Sequence, residues 1–124
     1  MKNLALAVFA ALFLLGCGGK ELSPLESRVA QKITFDKVDK SIVKAFNYRT
    51  NSNGLLEFEL ILLDDDDAEL EYKVSWKDED DFVLKAPTDG EFIAIKLQEN
   101  KEFLLQRVAT NKAAVDFSLI LREK

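Results

Sequence analysis

The sequence has no histidine, one cysteine, two prolines and five glycines in 124 residues. Each scarcity removes a class of function. Without histidine the chain lacks the usual general base of neutral-pH catalysis and the commonest ligand of transition metals. A single cysteine forbids an intramolecular disulfide and any cysteine-rich zinc site. The few glycines do not fall in the spacing of a phosphate-cradling loop. Basic charge is also short. Lys and Arg number 17 against 22 Asp and Glu, for a net charge of −5, so no basic face for a nucleic-acid partner is expected. The length allows one domain of about 100 structured residues.

What is present begins at the N-terminus. Lys2 precedes an uncharged apolar run, Leu4 to Leu15. That run is shorter than the roughly 20 residues of a bilayer span and fits a secretory h-region. It ends in Leu14-Leu15-Gly16-Cys17, which resembles the bacterial lipobox. The resemblance implies a signal peptide over 1–16, cleavage between Gly16 and Cys17, and lipid attached at Cys17. Two or more acyl chains anchor a protein stably without spanning the membrane. The membrane is therefore one expected partner, through lipid. The same resemblance, with Gly18 where an Asp would favour inner-membrane retention in enterobacteria, implies the outer membrane, facing the periplasm. Residues 17–28 read as the lipidated Cys and a flexible tether, and 29–124 as the folded domain.

Within that domain the apolar period is two. Leu56, Phe58, Leu60 and Leu62 alternate with other residues, as do Leu70, Tyr72, Val74 and Trp76, and Val115, Phe117, Leu119 and Leu121. These are half-buried strands. Weaker strands fall at 31–36, 41–50, 81–85, 91–97 and 102–109. Asn51-Ser52-Asn53-Gly54 is the strongest turn signal and predicts a hairpin. Asp64–Asp67 predicts a second turn joining 55–63 to 69–76. Pro87–Gly90 and Glu99–Lys101 predict two more. Ser23 and Pro24 are suited to cap and open a short helix over 25–32. The pattern predicts an all-β antiparallel sandwich of about seven strands.

Asn53-Gly54-Leu55-Leu56, Tyr72-x-Val74-x-Trp76-x-Asp78, Val108-Ala109-x-Asn111 and Ala114-x-Asp116-Phe117-x-Leu119-x-Leu121-Arg122 resemble the YcfL-like family of bacterial lipoproteins. Asp81, Phe92, Thr110 and Lys112 depart from that family's pattern, which weakens loop details more than the fold. The resemblance implies an immunoglobulin-like sandwich in the periplasm, cell-envelope work, and no known catalytic residues.

The candidate sites are few. Asp64, Asp65, Asp66 and Asp67 are the weak metal candidates, since hard cations take carboxylate oxygens. They lack the Gly and the bidentate Glu spacing of a calcium loop, and a solvated hairpin tip is the preferred reading. Asp78 is expected to accept backbone N–H groups in the turn after the Trp76 strand. Trp76 and Tyr72 are expected in the core, with a ligand pocket near Trp76 as the alternative. An enzyme would have to use carboxylates alone, as glycosidases do. The reading is therefore of a non-enzyme without a cofactor. Ile61, Leu63 and Ile120 fall on the outward phase of their strands and form a candidate patch for an envelope protein partner. The preferred reading is that the N-terminal segment (Leu22, Leu25, Val29) or an extra strand covers them.

Overall fold

A computed structural model describes residues 23–85 and 91–124. The expected signal peptide over 1–16, the lipobox-like Leu14–Cys17 and the turn predicted at Pro87–Gly90 lie outside them. The first element is helix α1, Pro24–Lys32, with Ser23 as its cap, the Ser23 hydroxyl accepting from the Glu26 N–H, and Pro24 at its start. The expected helix is therefore present. Its first residues, Pro24–Arg28, fall within the 17–28 segment expected as tether. Its buried residue is Val29, with Leu25 packed beside the core.

Eight strands follow: β1 (Ile33–Asp36), β2 (Val43–Thr50), β3 (Leu56–Leu62), β4 (Ala68–Lys77), β5 (Val83–Leu84), β6 (Ile93–Leu97), β7 (Phe103–Val108) and β8 (Asp116–Glu123). A 3-10 turn, Lys40–Ile42, precedes β2. They form two sheets. One runs β1-β8-β4, with β5 and β6 sharing the far side of β4, and the other runs β2-β3-β7. The all-β two-sheet sandwich is as expected. One pairing departs from the antiparallel reading, because β1 runs parallel to β8, with Ile33 opposite Leu119. The rest of the domain, β2 to β7, lies between the two strands in sequence, so no tight turn forces them to be antiparallel.

The period-two strands supply the core. Leu60, Leu62, Leu119, Leu121 and Phe46 are fully buried, and Leu56, Phe58, Leu70, Tyr72, Val74 and Trp76 nearly so. Each such side chain contributes about 1.5–3 kcal/mol by leaving water. Val115 is the exception among the predicted inward residues. It lies one residue before β8 and is 58% exposed. One end of the core is aromatic. Phe58 and Phe117 stack at 4.9 Å, with Trp76 and Tyr48 against Phe117 at 5.6 and 5.4 Å.

The Asn51–Gly54 turn joins β2 to β3 as a hairpin, as its sequence predicts. Gly54 has φ +80°, a conformation that disfavours a side chain, and the Asn51 carboxamide accepts from the Asn53 and Leu55 N–H groups. The Asp64–Asp67 turn is not a hairpin. It carries the chain from β3 in one sheet to β4 in the other.

Candidate functional site

The two acidic turns lie at opposite ends of β4, and each uses its carboxylates to hold backbone. Asp64 Oδ1 accepts from the Asp66 N–H at 3.2 Å, and Asp67 Oδ1 accepts from the Glu99 N–H at 2.8 Å. The Asn100 N–H donates to the Asp64 carbonyl at 2.8 Å. The sheet-to-sheet crossing after β3 is thus pinned to the one after β6. Among the described residues no group of three or more Asp, Glu, Cys or His side chains converges on one point. At the other end, Asp78 Oδ1 accepts from the Asp80 and Phe82 N–H groups at 2.9 and 3.0 Å, and Asp81 sits at φ +67°. Asp78 therefore does the turn-forming work that its sequence position predicts.

The end that carries Asp64–Asp67 is also the end where the chain enters. Leu25, near the start of α1, lines a groove of about 380 Å³ with Asp39, Lys40 and Ser41. Asp39 lines the neighbouring cleft with Asp64, Asp65 and Asp67. The Asn51–Gly54 hairpin, the Asp78 turn and residues 109–114 occupy the opposite end. There Trp76 is 4% exposed, and the cleft beside it holds only about 130 Å³, lined by Leu84, Ala109 and Ala114 among others. Small-molecule pockets usually measure about 300–1,000 Å³. Trp76 is a core residue whose edge touches a shallow depression. Tyr72 is buried too, and its hydroxyl accepts from Arg107 Nη1 at 2.7 Å across the gap between sheets.

The proposed apolar trio is divided. Ile61 pairs with Ala45 and Leu104 on the outer face of the β2-β3-β7 sheet, and Leu63 follows in the same phase. Ile120 pairs with Thr34 and Lys73 on the outer face of the other sheet. All three are half-buried. They do not form one patch, because the sandwich turns the outward faces of β3 and β8 in opposite directions. The residue that extends the Ile61 side is Leu104, 53% exposed, with Val108, 46% exposed, further along β7. Sequence reading passed over both, although their alternation with Phe103 and Leu105 carried the signal. Phe82, at 70% exposure, was also missed.

Two charged clusters hold the sheets from outside. Arg122 Nε donates to Glu71 at 2.7 Å, and its guanidinium lies 3.4 Å from the centre of the Phe92 ring. Lys32, at the end of α1, bonds Asp116 and lies over the Tyr48 and Phe117 rings. Partial burial of Asp116 acts to raise its pKa. The hydrogen bonds from Lys32 and the Phe117 N–H, with the charges of Lys32 and Lys77, outweigh it and leave the carboxyl below its ordinary value.

These features define a small β-sandwich domain with a capping helix and open surface grooves. The chain belongs to the DUF1425 family, described as proteins of unknown function, whose family model matches residues 27–123. The sandwich is similar to that of cj0090 from Campylobacter jejuni, with a TM-score of 0.69 and 36% identity over 75% of this chain and 98% of that one. It is also similar in fold to a DUF1425 member from Shewanella sp. pv-4, with a TM-score of 0.54 and 23% identity over 66% of this chain and 76% of that one. No curated protein matches the chain.

Proposed function

We propose that the protein is a YcfL-like lipoprotein, held by lipid on Cys17 at the periplasmic side of the outer membrane, and that it works by binding another envelope protein. One observation carries the reading: an uncharged Leu4–Leu15 run ends in Leu14-Leu15-Gly16-Cys17, six residues before the described domain begins at Ser23. Six residues extend at most about 20 Å, so the domain would sit against the membrane surface with the Asp78 end outward. A non-catalytic role is supported by the chain's lack of histidine and by carboxylates committed to turns and ion pairs. Metabolic labelling with radioactive palmitate tests the anchor. The wild type incorporates label and is processed, whereas Cys17→Ser does neither. A Cys17→Ser chain that stayed lipid-labelled would refute the assignment. Crosslinking in intact cells with mass spectrometry of captured proteins tests the partner reading.

A further inference from the structure

We propose that the free edge of β7 is the partner site, and that it takes an antiparallel strand from another protein reading apolar–x–basic–x–apolar. This inference rests on the protein-binding reading above.

The hydrogen-bond phase of β7 follows from one contact. The Ala109 N–H donates to the Leu56 carbonyl at 2.8 Å. Bonded pairs alternate along an antiparallel ladder. With Phe58 opposite Arg107 and Leu60 opposite Leu105, the backbone groups of residues 103, 105 and 107 face β3. The N–H and C=O groups of Leu104, Gln106 and Val108 therefore point to the other side, where, among the described residues, β7 has no neighbouring strand. Proteins usually blunt such an edge with proline, lysine, a bulge or a covering element. Residues 103–108 carry no proline or lysine and pair in unbroken register with β3. The one cation on the strand, Arg107, is turned inward onto Tyr72.

The side chains define the occupant. Leu104 and Val108 stand exposed on the outer face with Gln106 between them. Gln106 reaches Glu59 at 3.4 Å, and the Glu59 carboxylate makes no ion pair among the described residues. A strand added to this edge places residues opposite Val108, Gln106 and Leu104 on the same face. Apolar residues suit the outer two positions, and a Lys or Arg at the middle one reaches toward Glu59. A second copy suits the edge less well. Antiparallel pairing centred on Gln106 reverses the second domain, so the two chains would enter at opposite ends, which a shared membrane and a short tether oppose.

The probe is the capped, fluorescent peptide Thr-Val-Thr-Lys-Thr-Val-Thr added to the purified full chain in detergent. It is expected to bind and to slow amide exchange at Leu104, Gln106 and Val108. N-methylation of its Lys, or Gln106→Pro in the protein, each removes a ladder bond and weakens binding by about tenfold. Replacing the peptide Lys by Glu weakens it several-fold. No binding at millimolar peptide, unchanged binding after N-methylation, or exchange protection elsewhere overturns the proposal. In cells, a photo-crosslinking residue is placed at Gln106 or at Phe82. Capture of the same protein from Gln106 alone, lost with Val108→Lys, supports the edge. Capture from Phe82 alone overturns the edge and leaves the partner reading standing. Capture from neither, with none by general crosslinking, removes both.

Discussion

The two flanks of the sandwich are finished differently. Between β1 and β2 the gap is closed by α1. Arg28 Nε donates to the Phe46 carbonyl at 2.8 Å, on the side of β2 turned away from β3, and Lys32 ties the helix to Asp116 in the other sheet. On the β7 side, Arg107 reaches Tyr72 of β4 in the other sheet, and among the described residues no strand or helix covers the outer backbone of β7. Both flanks present the same problem, an unpaired row of donors and acceptors. Among the described residues the chain meets it on the side where α1 packs. Leaving the other flank open is a liability in a domain with no partner and an asset in one that has one.

The comparison fails at its root if the flanks do not share one core. Phe117 stacks on Phe58 and touches Trp76, Tyr48 and Phe46. Phe117→Ala is expected to cost about 3–5 kcal/mol of stability in chemical denaturation. Amide exchange should then rise together on β2 and β7. A loss of protection confined to one flank would show that the two are separate cooperative units.

Arg28→Met sharpens the contrast. It keeps most of the apolar stem and leaves the Phe46 carbonyl without its charged donor. A hydrogen bond to a charged group contributes about 1.5–3 kcal/mol, less where water reaches it, so about 1–2 kcal/mol is expected here. Exchange should quicken on α1 and the outer side of β2, and β7 should not change. An equal response on both flanks would contradict the idea that α1 seals only one.

Much of this architecture was legible in the residues, and the limit has a physical cause. Alternation told which side chains of β3, β4 and β8 face inward, and local chemistry told what Ser23, Asn51 and Asp78 do, because each acts on backbone within four residues. Alternation does not say which strand lies alongside. Hence β3 and β4 read as a hairpin, the parallel β1–β8 pair went unseen, and Ile120 was grouped with Ile61. Those features are set by contacts such as Asp67 with Glu99 and Arg107 with Tyr72, 32 and 35 residues apart. An open edge is harder still to read, since it is defined by a neighbour that does not follow.

The closed flank should also depend on acid. The folded-state pKa of Asp116 is below its ordinary value of 3.8. A depressed carboxyl contributes stability in full above the unfolded value and loses it as pH falls through the folded one. Asp116→Asn should therefore be less stable than wild type near neutrality, by under about 1 kcal/mol because the pair is partly exposed. The gap should narrow as pH drops below 3.8 and shrink in high salt. A gap that persists unchanged at low pH would mean that packing, not charge, ties α1 to β8.

The smallest expected effect is the most discriminating. Proline at Gln106 removes an N–H that points away from β3, and proline is tolerated in strands where that group faces outward. Gln106→Pro should therefore leave folding stability within about 1 kcal/mol of wild type by denaturation. The same substitution one residue earlier, at Leu105, removes a bond to β3 and should unfold that edge. If the two prolines were equally damaging, the hydrogen-bond phase deduced for β7 would be wrong, and with it the claim that this flank is open. If only Leu105→Pro damages the fold, the N–H of Gln106 contributes little to folding, and a role for it lies in what the edge binds.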